Sequence, residues 1–146
     1  MINVVWIAVG GGLGALARFA LSNLLWTHQP LPYNIFLINI SGSFLIAVVM
    51  TLSLEYGWLS ERGRLFLAVG VLGGYTTFST FMLGVEEIIA RQAVVSAYTY
   101  TMGTLVFGLA ACWAGVIATR RIAQALINRL NDADESESPK KEGSWQ

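Results

Sequence analysis

The chain has 146 residues, of which 55% are apolar and 12% charged, and its nine basic and nine acidic side chains sum to zero net charge. A soluble domain carries about 25% charged residues, so this composition excludes an ordinary water-soluble fold, and balanced charge without a basic tract argues against a nucleic-acid partner. One cysteine, Cys112, permits no internal disulfide, and with a single histidine, His28, there is no Cys or His cluster for a zinc-type site.

Crossing a hydrocarbon core of about 30 Å takes roughly 20 apolar residues of helix. Four windows satisfy that, residues 3–26, 33–56, 65–90 and 96–119. The first opens MINVVWIAVGGG, which lacks the basic start of a secretory signal and continues too far for a cleaved one, so it reads as a span. Before Glu55 the only Asp, Glu, Lys, Arg or His residues are Arg18 and His28. Arg18 lies two-thirds of the way along the first span, in GGGLGALARF. Arginine at a helix centre costs roughly 2.5–3.5 kcal/mol on insertion scales, so Arg18 either snorkels, makes a structural contact or draws anions into a wet cavity. The same glycines spell Gly10-x-Gly12-x-x-Ala15, a weak match to a dinucleotide fingerprint: no soluble strand precedes it and no acidic residue follows for 40 positions.

THQPLP then breaks the helix with two prolines, and the second span carries FLINISGSF. Asn39 and Ser43, four apart, share a helix face and aim an amide and a hydroxyl at one place. That pair serves either as an interhelical hydrogen bond or as part of a polar path. EYGWLSERGR connects to the third span, whose middle reads GGYTTFSTF, Gly73 to Phe81. Paired glycines weaken a helix, and irregular backbone at membrane depth survives only where protein or a cavity satisfies the freed groups. The expectation is a broken third helix with Thr76, Thr77, Ser79 and Thr80 offering hydroxyls beside it, a chemistry suited to small ions. Phe78 and Phe81, three apart, share a helix face; their positive ring edges could stabilise a dehydrated anion, or they are core.

IARQAVV turns the chain into the fourth span, where Tyr100, Thr104, Gly108 and Cys112 form a stripe that either lines a narrow path or seats another helix. Trp26, Tyr33, Tyr56, Trp58 and Tyr98 cluster near the span ends, at headgroup level. Small residues four apart, Gly10 with Gly14 and Ala111 with Gly115 among them, favour close helix contact, between copies or within one chain. From residue 128 the chain turns polar, and 128–146 reads as a disordered tail after a membrane domain at 1–127. Arg62, Arg64, Arg120, Arg121, Arg129 and the tail lysines oppose only Arg91, which places both termini in the cytoplasm by the positive-inside rule. No nucleophile has a base partner, so no enzyme is expected.

GGGLGALARF, NISGSF and GGYTTFSTF together resemble the bacterial CrcB/Fluc fluoride channel family over residues 3–120. The resemblance implies an all-α, four-span inner-membrane protein that forms an antiparallel, dual-topology homodimer in membrane lipid. It implies passive fluoride efflux that lowers cytoplasmic fluoride, with Na+ at the dimer centre. By resemblance, Gly73 and Thr76 give backbone carbonyls to Na+, and Phe78, Phe81, Asn39, Ser79, Thr80, Tyr100, Thr104 and Arg18 line the fluoride path. This chain differs from many relatives in having Gly84 where they carry glutamate, and Gly108 and Cys112 where some carry hydroxyls. Its one-sided loop charge also contrasts with the balance expected of a chain that inserts both ways. The competing readings are a proton-coupled small-solute exporter, which would want an acidic residue inside a span, and a non-conducting assembly protein.

Overall fold

Apolar windows long enough to cross a bilayer must satisfy their backbone internally, which in a single segment means helix. The computed structural model describes residues 2–25 and 31–137, and the described residues are helices and their connections. Helix α1 spans Ile2–Leu24, α2 Tyr33–Leu54 and α3 Glu61–Arg64; a π-helical stretch, Leu65–Leu72, follows. Then come α4, Gly73–Tyr75, α5, Ser79–Ala90, and α6, Val94–Glu137. Four helical spans, Asn3–Leu24, Tyr33–Leu54, Glu61–Ala90 and one within α6, are long and apolar enough to cross a membrane. This is a multi-pass membrane protein. The readings for Trp26, His28 and residues 138–146 lie outside the described residues.

The connections have local causes. Pro32 stands at the cap position of α2, where a missing N–H costs nothing, and the Asn34 amide donates to the Ser22 hydroxyl at 2.9 Å, tying the end of α1 to the start of α2. Gly57 adopts a positive φ of 64° after α2, a conformation glycine takes without strain. Ser60 caps α3 by accepting from the Gly63 N–H at 3.2 Å. At the end of α5, Gln92 takes a left-handed φ of 57°, its N–H donating to Ile89 at 2.8 Å and that of Ala93 to Ile88 at 3.2 Å. Those two bonds form the paired closure that ends many helices and reverse the chain into α6.

Glycine sets the packing of α1. It crosses the π-helical stretch and α4 backbone to backbone. A Cβ on Gly10 would stand 2.6 Å from the Phe66 carbonyl oxygen, and Cβ atoms on Gly14 and Gly74 would overlap the carbonyls of Val71 and Gly11. The Gly10 and Gly14 pair therefore packs this chain against itself. On the other side α2 lies along α6, with Gly115 facing the Phe44 carbonyl, and a small core of Ile35, Ile38, Phe81, Ile88, Ala97 and Tyr100 sits between α2, α5 and α6. Large apolar side chains such as Val95 and Trp113 point outward, as a lipid-facing surface requires.

At about 1.5 Å per residue, the 44 residues of α6 exceed the thickness of a bilayer core. The helix continues to Glu137, past the boundary at 127 where the polar composition begins. Extending a formed helix adds one hydrogen bond per residue, so polar residues can follow a nucleated span. At that membrane edge Arg120 grips Glu55 with Nη2 to Oε1 at 2.6 Å and Nε to Oε2 at 2.8 Å. The hydrogen bonds from Arg120 hold the exposed Glu55 carboxyl below its ordinary value.

Candidate functional site at the helix interruption

Helical structure stops at Tyr75 and resumes at Ser79, with Thr76 extended at φ −76° and ψ 156°. An irregular segment at this depth needs partners for its polar backbone, and α2 supplies them. The Asn39 amide meets the Thr77 backbone face to face: Nδ2 donates to the Thr77 carbonyl at 3.0 Å, and the Thr77 N–H donates to Oδ1 at 2.9 Å. Close approach is possible because Gly42, one turn on, has no Cβ to collide with the Thr76 methyl. Ser41 and the Tyr75 hydroxyl share a hydrogen bond of 3.0 Å just before the interruption. The Thr77 hydroxyl accepts from the Thr80 N–H at 3.2 Å, donates to the Thr80 hydroxyl at 3.0 Å and lies 3.3 Å from that of Ser79.

This arrangement redirects two helix donors. In a continuous helix the N–H of Thr77 would serve the carbonyl of Gly73, and that of Thr80 the carbonyl of Thr76. Here the first goes to Asn39 and the second to the Thr77 hydroxyl. The carbonyls of Gly73 and Thr76 are released from their helical partners, and Gly73 is exposed.

Two cavities meet at Asn39. One, about 300 Å³, is lined by Asn39, Gly42, Ser43, Ile46, Thr76, Thr77 and Phe78. The other, about 350 Å³, runs between α2 and α6 along Asn39, Ser43, Ile46, Thr104, Leu105, Gly108, Leu109 and Cys112. Among the described residues no charged side chain lines either cavity. Their polar lining comes from an amide, hydroxyls, a thiol and backbone. Ser43 and Thr104 donate to carbonyls four residues back, Asn39 and Tyr100, both at 2.8 Å, and such hydroxyls can rotate toward another acceptor.

The expected site residues fall into three groups. Asn39, Thr76, Phe78 and Thr104 line the cavities, and Ser79 and Thr80 join them through the Thr77 hydroxyl. Phe81 and Tyr100 stand behind that lining, both 5% exposed, with rings stacked 5.4 Å apart; the Tyr100 hydroxyl donates to the Pro32 carbonyl at 3.4 Å. Phe78 and Phe81 are neighbours at 6.0 Å, yet Phe78 is 76% exposed. Arg18 is half-buried, lines neither cavity and makes no hydrogen bond or ion pair among the described residues. Two contributors had little sequence signal. Thr77 was one hydroxyl among four, and Gly42 matters through a contact 34 positions away.

Fold and site define a small polytopic membrane protein with two amide- and hydroxyl-lined cavities beside an interrupted span. Residues 5–116 match the family model described as CrcB-like protein, Camphor Resistance (CrcB). A relative from Caulobacter sp. (strain K31), named Fluoride-specific ion channel FluC, is 36% identical over 125 residues, covering 84% of this chain and 98% of its own. Relatives of the same name from Phenylobacterium zucineum and Thermus thermophilus are 39% and 42% identical, covering 84% and 83% of this chain and 98% and 93% of theirs. The chain belongs to the CrcB family.

Proposed function

We propose that this chain is a fluoride-selective ion channel, and not an enzyme, that lets fluoride leave a bacterial cell passively through its inner membrane. The observation that carries this reading is the uncharged pair of cavities meeting at Asn39, beside backbone pinned by that same amide. Fluoride is small and strongly hydrated, so a selective path must replace its water with closely placed donors. Asn39, which keeps one N–H beyond its bonds to Thr77, and the hydroxyls of Ser43, Ser79, Thr80 and Thr104 are such donors. With no fixed cation in the lining, the ion is not trapped. Phe78 would offer a ring edge, while Phe81 and Tyr100 shape the wall behind it. Arg18, away from both cavities, would act on approaching anions through its field.

A second copy of the chain completes the assembly in this reading. Phe78 and the first cavity open on the protein surface, where an opposed copy would enclose them. The released carbonyls of Gly73 and Thr76 fit Na+, because oxygen of unwound backbone is a ligand for a hard alkali cation. Two copies would give four such oxygens, and Na+ would supply fixed positive charge that holds the two interruptions together. An inverted pairing matches the family resemblance, and the one-sided arginines of this chain make its orientation a separate measurement.

The test is efflux from liposomes loaded with potassium fluoride, started by a potassium ionophore with no pH gradient. A channel releases fluoride at once; a proton-coupled exporter stays silent until a proton gradient is imposed. Vesicles that remain tight to fluoride in both conditions overturn the reading. Labels specific for each membrane face, combined with crosslinking, report whether paired copies are opposed.

A further inference from the structure

We infer that Thr77 is the positioning residue that keeps the cation-binding carbonyls open. This rests on the proposed Na+ site and deepens it. Each polar group of Thr77 has a task in the geometry. Its N–H is drawn 2.9 Å onto Asn39, away from the carbonyl of Gly73. Its hydroxyl takes the N–H of Thr80 at 3.2 Å, away from the carbonyl of Thr76. The N–H of Thr77 shares its peptide with the Thr76 carbonyl and so fixes where that oxygen points, while the carbonyl of Thr77 itself, held by the Asn39 amide at 3.0 Å, fixes the peptide that follows Thr77. The residue is 7% exposed, so water does not compete well for these bonds.

The hydroxyl is the part of this device that a side-chain change can remove. Without it the half-buried N–H of Thr80 lacks its acceptor, and the nearest remedy is the Thr76 carbonyl one helical turn back. Taking that bond would extend α5 toward its N-terminus and occupy an oxygen meant for Na+. The same hydroxyl donates to that of Thr80, which leaves Thr80 its own hydrogen for an anion. One threonine thereby links the cation site to the anion path.

The test reads sodium binding by stability rather than by flux. Thermal unfolding of the purified full-length protein in detergent is followed while N-methylglucamine chloride is replaced stepwise by sodium chloride at constant ionic strength. Wild type is expected to rise in Tm with sodium, since a ligand of the folded state stabilises it. Thr77→Val, nearly equal in volume, is expected to need about tenfold more sodium for the same rise, the loss of one buried hydrogen-bond acceptor. Thr77→Ser keeps the hydroxyl and is expected to restore the wild-type sodium curve. A purely structural role would lower Tm in every salt and leave the sodium dependence unchanged in Thr77→Val; that result overturns the inference. If Thr77→Val does not fold, Thr77→Ser and Thr77→Cys decide it, because a thiol accepts poorly and must fall between wild type and the loss. A wild type without any sodium-dependent rise overturns the cation site itself, and this inference with it.

Discussion

Two contacts made by the third span solve opposite problems. Where it crosses α1, at Gly10, Gly14, Gly70 and Gly74, backbone meets backbone and the chain gains by having no side chains at all. Where it meets α2, at Thr77, the helix is interrupted and survives because one amide matches both backbone groups of one residue. Both regions are rich in small residues, so composition alone does not tell them apart. The first tolerates no added atom, and the second tolerates no lost polar group. A glycine crossing and a pinned interruption thus stand side by side on one span, the second of them beside cavities of about 300 and 350 Å³.

The comparison is broken hardest at Asn39. Asn39→Asp puts a carboxylate opposite the Thr77 carbonyl, losing a donor and adding a poorly solvated charge. Fluoride flux per unit of protein is expected to fall at least about a hundredfold, as the bond to the Thr77 carbonyl gives way to repulsion, while size-exclusion profiles stay unchanged. Gly14→Ala comes next. The new methyl would collide with the Val71 carbonyl, and overpacking of this kind costs about 1–3 kcal/mol, read as a lower Tm in detergent. Gly12→Ala is the control on the same helix. Nothing lies within 4 Å of a Cβ there, so the exchange is expected to stabilise by about 0.5–1 kcal/mol through helix propensity. If both alanines cost the same, the glycine crossing is not the contact described.

The smallest effect is expected at Glu55. Its carboxyl is held below the ordinary 4.5 by hydrogen bonds from Arg120, so the stabilisation is fully present above that value and is lost as pH falls through the lower folded-state value. Glu55→Gln should flatten the acid side of the Tm profile slightly and leave flux at neutral pH alone. High salt should shrink the difference, because the pair is exposed.

Much of this was legible in the sequence. The four spans follow from apolar length, and the placement of Asn39 and Ser43 on one face follows from their spacing; both residues line both cavities. GGYTTFSTF marked the irregular segment through glycine and hydroxyl content. What the sequence did not disclose were partners distant along the chain: that the Asn39 amide would lie against Thr77, 38 positions on, or that Gly42 would face Thr76. Spacing along one helix carries no information about which helix comes opposite. Asn128 to Glu137 continue a helix already formed, which their polarity alone does not announce. The glycine pairs were ambiguous for the same reason. Their spacing announces a close contact, and only the fold identifies Phe66, Val71 and Gly11 as what they touch.

The central claim is that an uncharged path of amide, hydroxyl and ring-edge donors passes fluoride and rejects larger halides. Liposomes loaded with equal potassium fluoride and potassium chloride, read at once by fluoride and chloride electrodes after ionophore addition, test it most directly. The account predicts that fluoride empties within the dead time of the wild-type trace while chloride stays inside. Joint release of both ions, or retention of both, would contradict it.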